Sequence, residues 1–307
     1  MAIARKLLLK ASESRWLADN LPNYPFARRA VKRFMPGESV EDALSECATL
    51  QQRKLSSVIT RLGENIQQLD QAAEVTAHYV DVLNTIKRRG LQTHVSVKLT
   101  QLGLDMDADH ALESVVRIMR SAAPDPVWID IESSRYTDIT LEVFRSARAT
   151  GTNVGLCLQA YLKRTEKDLE DLLATTTAIR LVKGAYREPP EIAYARKADV
   201  DDNYVKLARM LLDRAKTGEI GHAPAFATHD REIIGKLAIM ADELGVTKQQ
   251  FEYQMLYGIN ASEQNLLATE GFRTRVLISY GEAWFAWYMR RLAERPANLW
   301  FVVKSVF

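Results

Sequence analysis

Arg180-Leu181-Val182-Lys183-Gly184-Ala185-Tyr186-Arg187-Glu188 is the stretch whose reading decides the fold. Ile179, Leu181 and Val182 form a β-prone apolar run that Gly184 breaks, so the first half reads as a short buried strand. Two cations, Arg180 and Lys183, fall within that run, and a buried cation is costly unless it meets an anion. Gly184 lets the backbone approach a bound group closely at the point where the strand ends. A strand whose C-terminal end carries cations, a glycine and a tyrosine fits the rim of an α/β barrel site. The plainer account is a surface strand with ordinary snorkelling Arg and Lys. Against it stands a second cationic pair far downstream, Arg290-Arg291, again in an apolar and aromatic segment.

Working outward, strand-like and helix-like segments alternate from residue 57 onward. Ser57 to Thr60 precedes a helix from Ile66 to Arg89. His94 to Lys98 precedes one from Asp107 to Ser121, and Val127 to Ile131 one from Ile139 to Thr150. Val154 to Leu158 leads to a helix from Thr165 to Thr176, where Thr165 with Asp168 has the pattern of a capping box. Ile179 to Val182 is followed by an insertion and a helix from Asp202 to Lys216. Ala225 to Thr228 precedes Arg231 to Leu244, Phe251 to Leu256 precedes Ala261 to Gly271, and Arg275 to Ser279 precedes Glu282 to Glu294. Eight strand-then-helix units without a composition shift predict one α/β domain, a (βα)8 barrel over residues 51–307. A doubly wound open sheet is the alternative, but no G-x-G-x-x-G follows the first strand. Residues 1–50 read as an N-terminal helical segment broken at Pro22, Pro25 and Pro36-Gly37. Arg28, Arg29, Lys32 and Arg33 give it a local positive face, of the kind that is ordinarily a solvated helix surface.

Composition narrows the class. The chain has 307 residues, 47% hydrophobic and 26% charged, which is ordinary for a globular protein. A net charge of +2 points to no general polyanion partner, and nucleic acid is excluded as the expected ligand. Cys47 and Cys157 match no zinc or CxxC spacing and are compatible with a reducing cytoplasm. Cys157 lies in an apolar strand and reads as a small core residue. No signal peptide is read at the start, and no stretch is long enough to span a bilayer.

In a barrel, functional groups collect where strands end and loops begin. Those positions offer Glu64, Lys98, Asp130, Gln159 with Tyr161, and Arg180 with Lys183 and Tyr186 for the first five strands. The last three give Thr228, His229 and Asp230, then Gln254, then Tyr280. His229 alone, without a second His or Cys at ligand spacing, makes no metal site and reads first as a satisfied loop histidine. No nucleophile motif is present. The set is cation-rich and poor in bases, which suits an anionic substrate and a polyanionic cofactor better than hydrolysis. Lys98 with Arg290 and Arg291 could hold a carboxylate. Adjacent helical arginines diverge by about 100°, so one can face a ligand while the other reaches an acid such as Glu64.

Six blocks then occur in order: V-S-V-K-L-T-Q-L-G (95–103), L-Q-A-Y-L-K-R-T-E-K-D (158–168), R-L-V-K-G-A-Y-R-E (180–188), A-T-H-D (227–230), F-E-Y-Q-M-L-Y-G (251–258) and M-R-R-L-A-E-R-P-A-N (289–298). In these blocks, over nearly all of residues 55–304, the chain resembles the flavin-dependent proline dehydrogenases of the monofunctional bacterial type. The resemblance implies a distorted (βα)8 barrel with the last helix lying over its top, and non-covalent FAD. It implies flavin contacts at Gln159, Arg180, Lys183, Gly184, Ala185, Thr228, His229, Gln254 and Glu294, with Arg180 near flavin N5. It assigns Lys98, Arg290 and Arg291 to the substrate carboxylate, Asp130, Tyr186 and Leu256 to the pocket, and Glu64 to the first arginine. The implied reaction is hydride transfer from proline to flavin, giving Δ1-pyrroline-5-carboxylate, with a membrane quinone or another acceptor downstream. A cytoplasmic protein, peripheral at the inner membrane face, is the corresponding expectation.

Three positions depart from the family pattern. Leu277 and Trp287 stand where pocket tyrosines are usual, and Thr60 replaces an aspartate of the first strand. These departures make a modified proline, another N-substituted amino acid or a biosynthetic intermediate the alternative substrate. A flavin-free binding barrel is the remaining alternative, since a fold does not fix a function.

Overall fold

The computed structural model describes residues 31–63, 66–174, 178–218 and 222–294, with Ser14, Asn20 and Tyr24 as isolated positions. Arg28, Arg29 and Glu64 lie outside the described residues, as do the side chains of Arg290 and Glu294. Eight parallel strands close into one barrel in chain order. They are β1 (Ser56–Arg61), β2 (Thr93–Val97), β3 (Val127–Ile129), β4 (Val154–Gln159), β5 (Ala178–Val182), β6 (Ala225–Ala227), β7 (Glu252–Leu256) and β8 (Arg273–Tyr280). β8 pairs β1 over six residues, from Ser56 beside Arg275 to Arg61 beside Tyr280, and this pairing closes the ring. The (βα)8 reading of the sequence is the observed fold.

The described helices are α1 (Val40–Gln52), α2 (Leu69–Arg89), α3 (Ala108–Ala122), α4 (Thr137–Thr150) and α5 (Thr165–Leu173). They continue with α6 (Lys197–Lys216), α7 (Arg231–Leu244), α8 (Ala261–Thr269) and α9 (Trp284–Glu294). α1 runs across residue 50, and its buried Ala43, Leu44, Cys47 and Leu50 belong to the barrel's main core. Ser39 starts it with a capping box completed by Asp42.

The capping box expected at Thr165 and Asp168 does not form. The Thr165 hydroxyl donates to the carbonyl of Gln159 at 2.6 Å, and Arg164 takes the Asp168 carboxylate at 2.7 and 3.0 Å. Both side chains are claimed by other partners in the same segment, so no side-chain cap remains at this helix start. α6 begins five residues earlier than expected, at Lys197, with Asp199 in its first turn and bonded to Arg196.

Strand alternation sorts the side chains into two layers. Ile59, Val95, Ile129, Leu156, Ile179, Phe226, Tyr253 and Val276 face the helices in the main core. Val58, Trp128, Ala178 and Ala225 cluster in the lumen, with Leu277 packed on them. Gly155 sits in that inner layer for a steric reason. A Cβ there would overlap the six-membered ring of Trp128, which is only 1% exposed.

Candidate active site

Arg180 leaves β5 into the lumen and is 2% exposed. It donates to Asp130 just past β3, to Ser96 of β2 at 2.9 Å and to Gln254 of β7 at 3.3 Å. One side chain reaches three other strands only by crossing the barrel interior. Asp130 also receives Lys98 Nζ at 3.2 Å and the Ser96 hydroxyl at 2.8 Å. Burial alone would push the Asp130 carboxyl up, but Lys98 and Arg180 hold it below its ordinary value. Burial likewise disfavours the Arg180 charge, and the Asp130 carboxylate reverses that and holds the guanidinium more firmly protonated. The anion that a buried Arg180 requires is therefore Asp130.

The polar chain continues below. Gln254 donates to Glu252 at 2.6 Å, and Glu252 takes the Arg275 guanidinium at 3.1 Å. Arg275 closes the lower end by donating to the Ser57 carbonyl at 2.8 Å. Trp128 lies beside this chain, with the Arg180 guanidinium 5.2 Å from its ring and its indole N–H on His94 Nδ1 at 3.2 Å.

Lys183 does not join Arg180. It lies one residue past β5 and is held by Asp201 at 2.5 Å and Asp230 at 2.8 Å, while Lys197 meets the same two carboxylates. Burial works against the Asp230 charge, but the hydrogen bonds from Lys183 and Lys197 prevail and lower its pKa to about 2. Gly184 follows with φ at 116°, a conformation that side chains rarely adopt. A Cβ at this position would overlap the ring of Tyr161, so the glycine is dictated by both backbone and packing. Ala185 and Tyr186 follow half-buried in the same loop.

The remaining strand ends supply hydrogen-bonding groups. Gln159 donates through Nε2 to the Glu132 carbonyl at 3.2 Å, and its side-chain Oε1 is buried without a hydrogen-bond partner among the described residues. His229 accepts from the Leu256 N–H through Nε2 at 3.1 Å, which fixes its ring beside β7. The Thr228 hydroxyl accepts from the Asp230 N–H at 3.1 Å. α9, which carries Arg291, packs through Trp284, Phe285, Trp287 and Tyr288 against Leu62, Leu256 and Ile259. Those three residues follow or end β1 and β7, so α9 lies on the C-terminal mouth of the barrel as expected. Trp287 belongs to this packing cluster, whereas Leu277 lies deeper, in the lumen.

A flavin fits this donor set. The side-chain amide oxygen of Gln159, buried without a partner among the described residues, calls for a donor, and Arg180 is a permanent buried cation. Among the described residues no group of His, Cys, Asp and Glu is placed to hold a metal ion. Ser96 is the site member that motif reading missed. It shares a β2 face with Lys98, two residues on, so strand alternation alone was the available signal.

The comparisons with known proteins follow the same geometry. A family model described as proline dehydrogenase matches residues 43–304. Proline dehydrogenase 2 of Bacillus subtilis is 37% identical over 306 residues, covering 99% of each chain. The proline dehydrogenase of Deinococcus radiodurans is 36% identical over 283 residues, covering 90% of this chain and 89% of its own. A crystal structure of proline utilization A from Bdellovibrio bacteriovorus superposes with a TM-score of 0.81 at 25% identity, over 89% of this chain and 33% of that larger one. With a charged barrel lumen, a helix over its mouth and relatives matched end to end, this chain belongs to the proline dehydrogenase family.

Proposed function

We propose that this chain oxidises L-proline to Δ1-pyrroline-5-carboxylate with non-covalent FAD, and that a quinone or another acceptor takes the electrons. The observation that carries this reading is the buried Lys98–Asp130–Arg180 trio at the mouth of a barrel of this family. Lys98, Arg290 and Arg291 take the substrate carboxylate, a charge-assisted contact that orients the ring. Glu64 orients Arg290, and Tyr186 and Leu256 wall the pocket. Gln159, Lys183, Gly184, Ala185, Thr228, His229, Gln254 and Glu294 hold the cofactor. When bound, the flavin supplies the acceptor for the two electrons of the C5–H bond. Arg180 presents a fixed cation where negative charge accumulates, and Asp130 keeps Arg180 and Lys98 in place before substrate arrives. Preorganisation of this kind costs no reorganisation during the reaction.

The substrate named by the relatives is proline, and no described helix is long and apolar enough to cross a membrane. A cytoplasmic enzyme that meets the membrane peripherally is consistent with both. The test is anaerobic titration of the purified yellow protein with L-proline, hydroxylated prolines and N-substituted amino acids. L-Proline should bleach the flavin band at the lowest concentration. Bleaching by another member of the panel, with proline inert, would transfer the assignment to that compound.

A further inference from the structure

Glu188 ends the stretch that first marked this chain, and no role falls to it in the reading above. In the structure its carboxylate grips one residue twice. Oε1 accepts from the Ser134 N–H at 2.7 Å and Oε2 from the Ser134 hydroxyl at 2.5 Å. The bond ties the loop after β5 to the loop after β3, 54 residues apart in sequence.

Among the described residues the same device occurs once more at this end of the barrel. Glu132 accepts from the Thr100 N–H at 3.1 Å and from the Thr100 hydroxyl at 2.7 Å, tying the loop after β3 to the loop after β2. The two clamps run head to tail, and three of their four residues stand two positions after a residue assigned to the pocket, the fourth, Ser134, standing two after Glu132. Lys98 precedes Thr100, Asp130 precedes Glu132, and Tyr186 precedes Glu188. A single intervening residue leaves little slack, so fixing the second position restrains the first. A carboxylate taking both an N–H and an O–H from one residue also sets direction, which a single bond does not.

We infer that Glu188, through Ser134, is a positioning residue that sets the placement of Tyr186 over the substrate, as Glu132 through Thr100 does for Lys98. The surroundings agree. Tyr161, packed beneath Gly184, has its phenol pushed up first by burial and then by the adjacent Glu188 carboxylate and Tyr186. Tyr161, Glu188 and Tyr186 are thus neighbours, and the loop has a floor on one side and a clamp on the other. The inference rests on the reading of Tyr186 as a substrate contact, and its test separates the two.

Glu188→Ala, Tyr186→Ala and the double variant are compared by steady-state kinetics with L-proline, with flavin content read from the absorbance spectrum. Glu188→Ala should raise KM about tenfold while kcat and flavin content stay within about twofold, the signature of lost binding rather than lost chemistry. In the Tyr186→Ala background the same change should alter KM by less than about twofold, because the residue it positions is gone. Ser134→Ala removes only the hydroxyl half of the clamp and keeps the carboxylate, so it should fold and raise KM by about threefold. Equal losses from Glu188→Ala in both backgrounds would overturn the positioning role and leave Tyr186 at the substrate. A Tyr186→Ala variant with unchanged KM would remove the reading of Tyr186, and the inference with it.

Discussion

Asp130 neutralises two buried cations, and that asymmetry yields a prediction about the order of two variants. Asp130→Asn keeps the shape of the side chain but leaves Arg180, 2% exposed, and Lys98, 8% exposed, without the carboxylate between them. Arg180→Met removes the larger cation, yet Asp130 still meets Lys98 at 3.2 Å and the Ser96 hydroxyl at 2.8 Å. Breaking a buried pair by deleting one partner costs ~3–5 kcal/mol, mostly through the charge left behind. Asp130→Asn should therefore cost ~3 kcal/mol or more, and Arg180→Met distinctly less. At ~2–4 °C per kcal/mol for a domain of this size class, the first should lower Tm by ~6–12 °C. The assay is thermal unfolding followed by circular dichroism at neutral pH, on flavin-free protein so that cofactor binding does not enter. Arg180→Met melting at or below Asp130→Asn would refute the claim that one carboxylate carries two charges.

Three further outcomes follow from the geometry. Gly155→Ala forces a methyl group against a Trp128 ring already fixed by His94, so ~1–3 kcal/mol of overpacking should appear as a lower Tm; an unchanged Tm would show that the ring can move. Asp230 has a folded pKa lowered from 3.8 to about 2, so its contribution to stability is complete above pH ~4 and is lost as pH falls toward 2. The Tm gap between wild type and Asp230→Asn should be constant above pH ~5 and close below pH ~4, and a gap independent of pH would contradict the ion cluster. Arg291→Met should raise KM for L-proline by ~10-fold or more while flavin content is retained, since truncating one partner of a buried charge pair costs ~2–5 kcal/mol; an unchanged KM would remove Arg291 from the carboxylate.

The barrel was legible because its signal is repetitive: eight apolar runs, each followed by a helical pattern. The buried cation at Arg180 was legible for the opposite reason, as one of two charges, with Lys183, in an otherwise apolar run. Its partner was only half visible. Asp130 stood out as a polar strand end, but that it meets Arg180 depends on how far β5 is staggered from β3 across the lumen, and periodicity carries no cross-barrel distances. The Lys183 cluster was hidden likewise, because Asp201 comes from a helix that begins after an insertion. The capping rule failed where other nearby partners outbid it. Thr165 and Asp168 have the composition of a capping box, yet the Gln159 carbonyl and Arg164 hold them instead.

The lumen explains why the charged residues of this barrel stand where they do. From the lower end the hydrogen bonds run Arg275 to Glu252, Glu252 to Gln254, Gln254 to Arg180, Arg180 to Asp130 and Asp130 to Lys98. Cations and anions alternate along it, with one neutral amide as a joint, so each buried charge has its opposite beside it. An apolar filling of the same volume would be as stable or more so, because buried ion pairs seldom repay their desolvation. What the chain provides is position. Arg180 is fixed from both sides, by Gln254 below and Asp130 above, and cannot fold away when the site is empty. The run contains three cations and two anions, and it begins and ends on a cation. The excess positive charge lies at the upper end, toward the mouth under α9, where the carboxylate of a substrate would complete the alternation. On the proposed function, a substrate carboxylate would be the next member of a series that the barrel itself begins at Arg275.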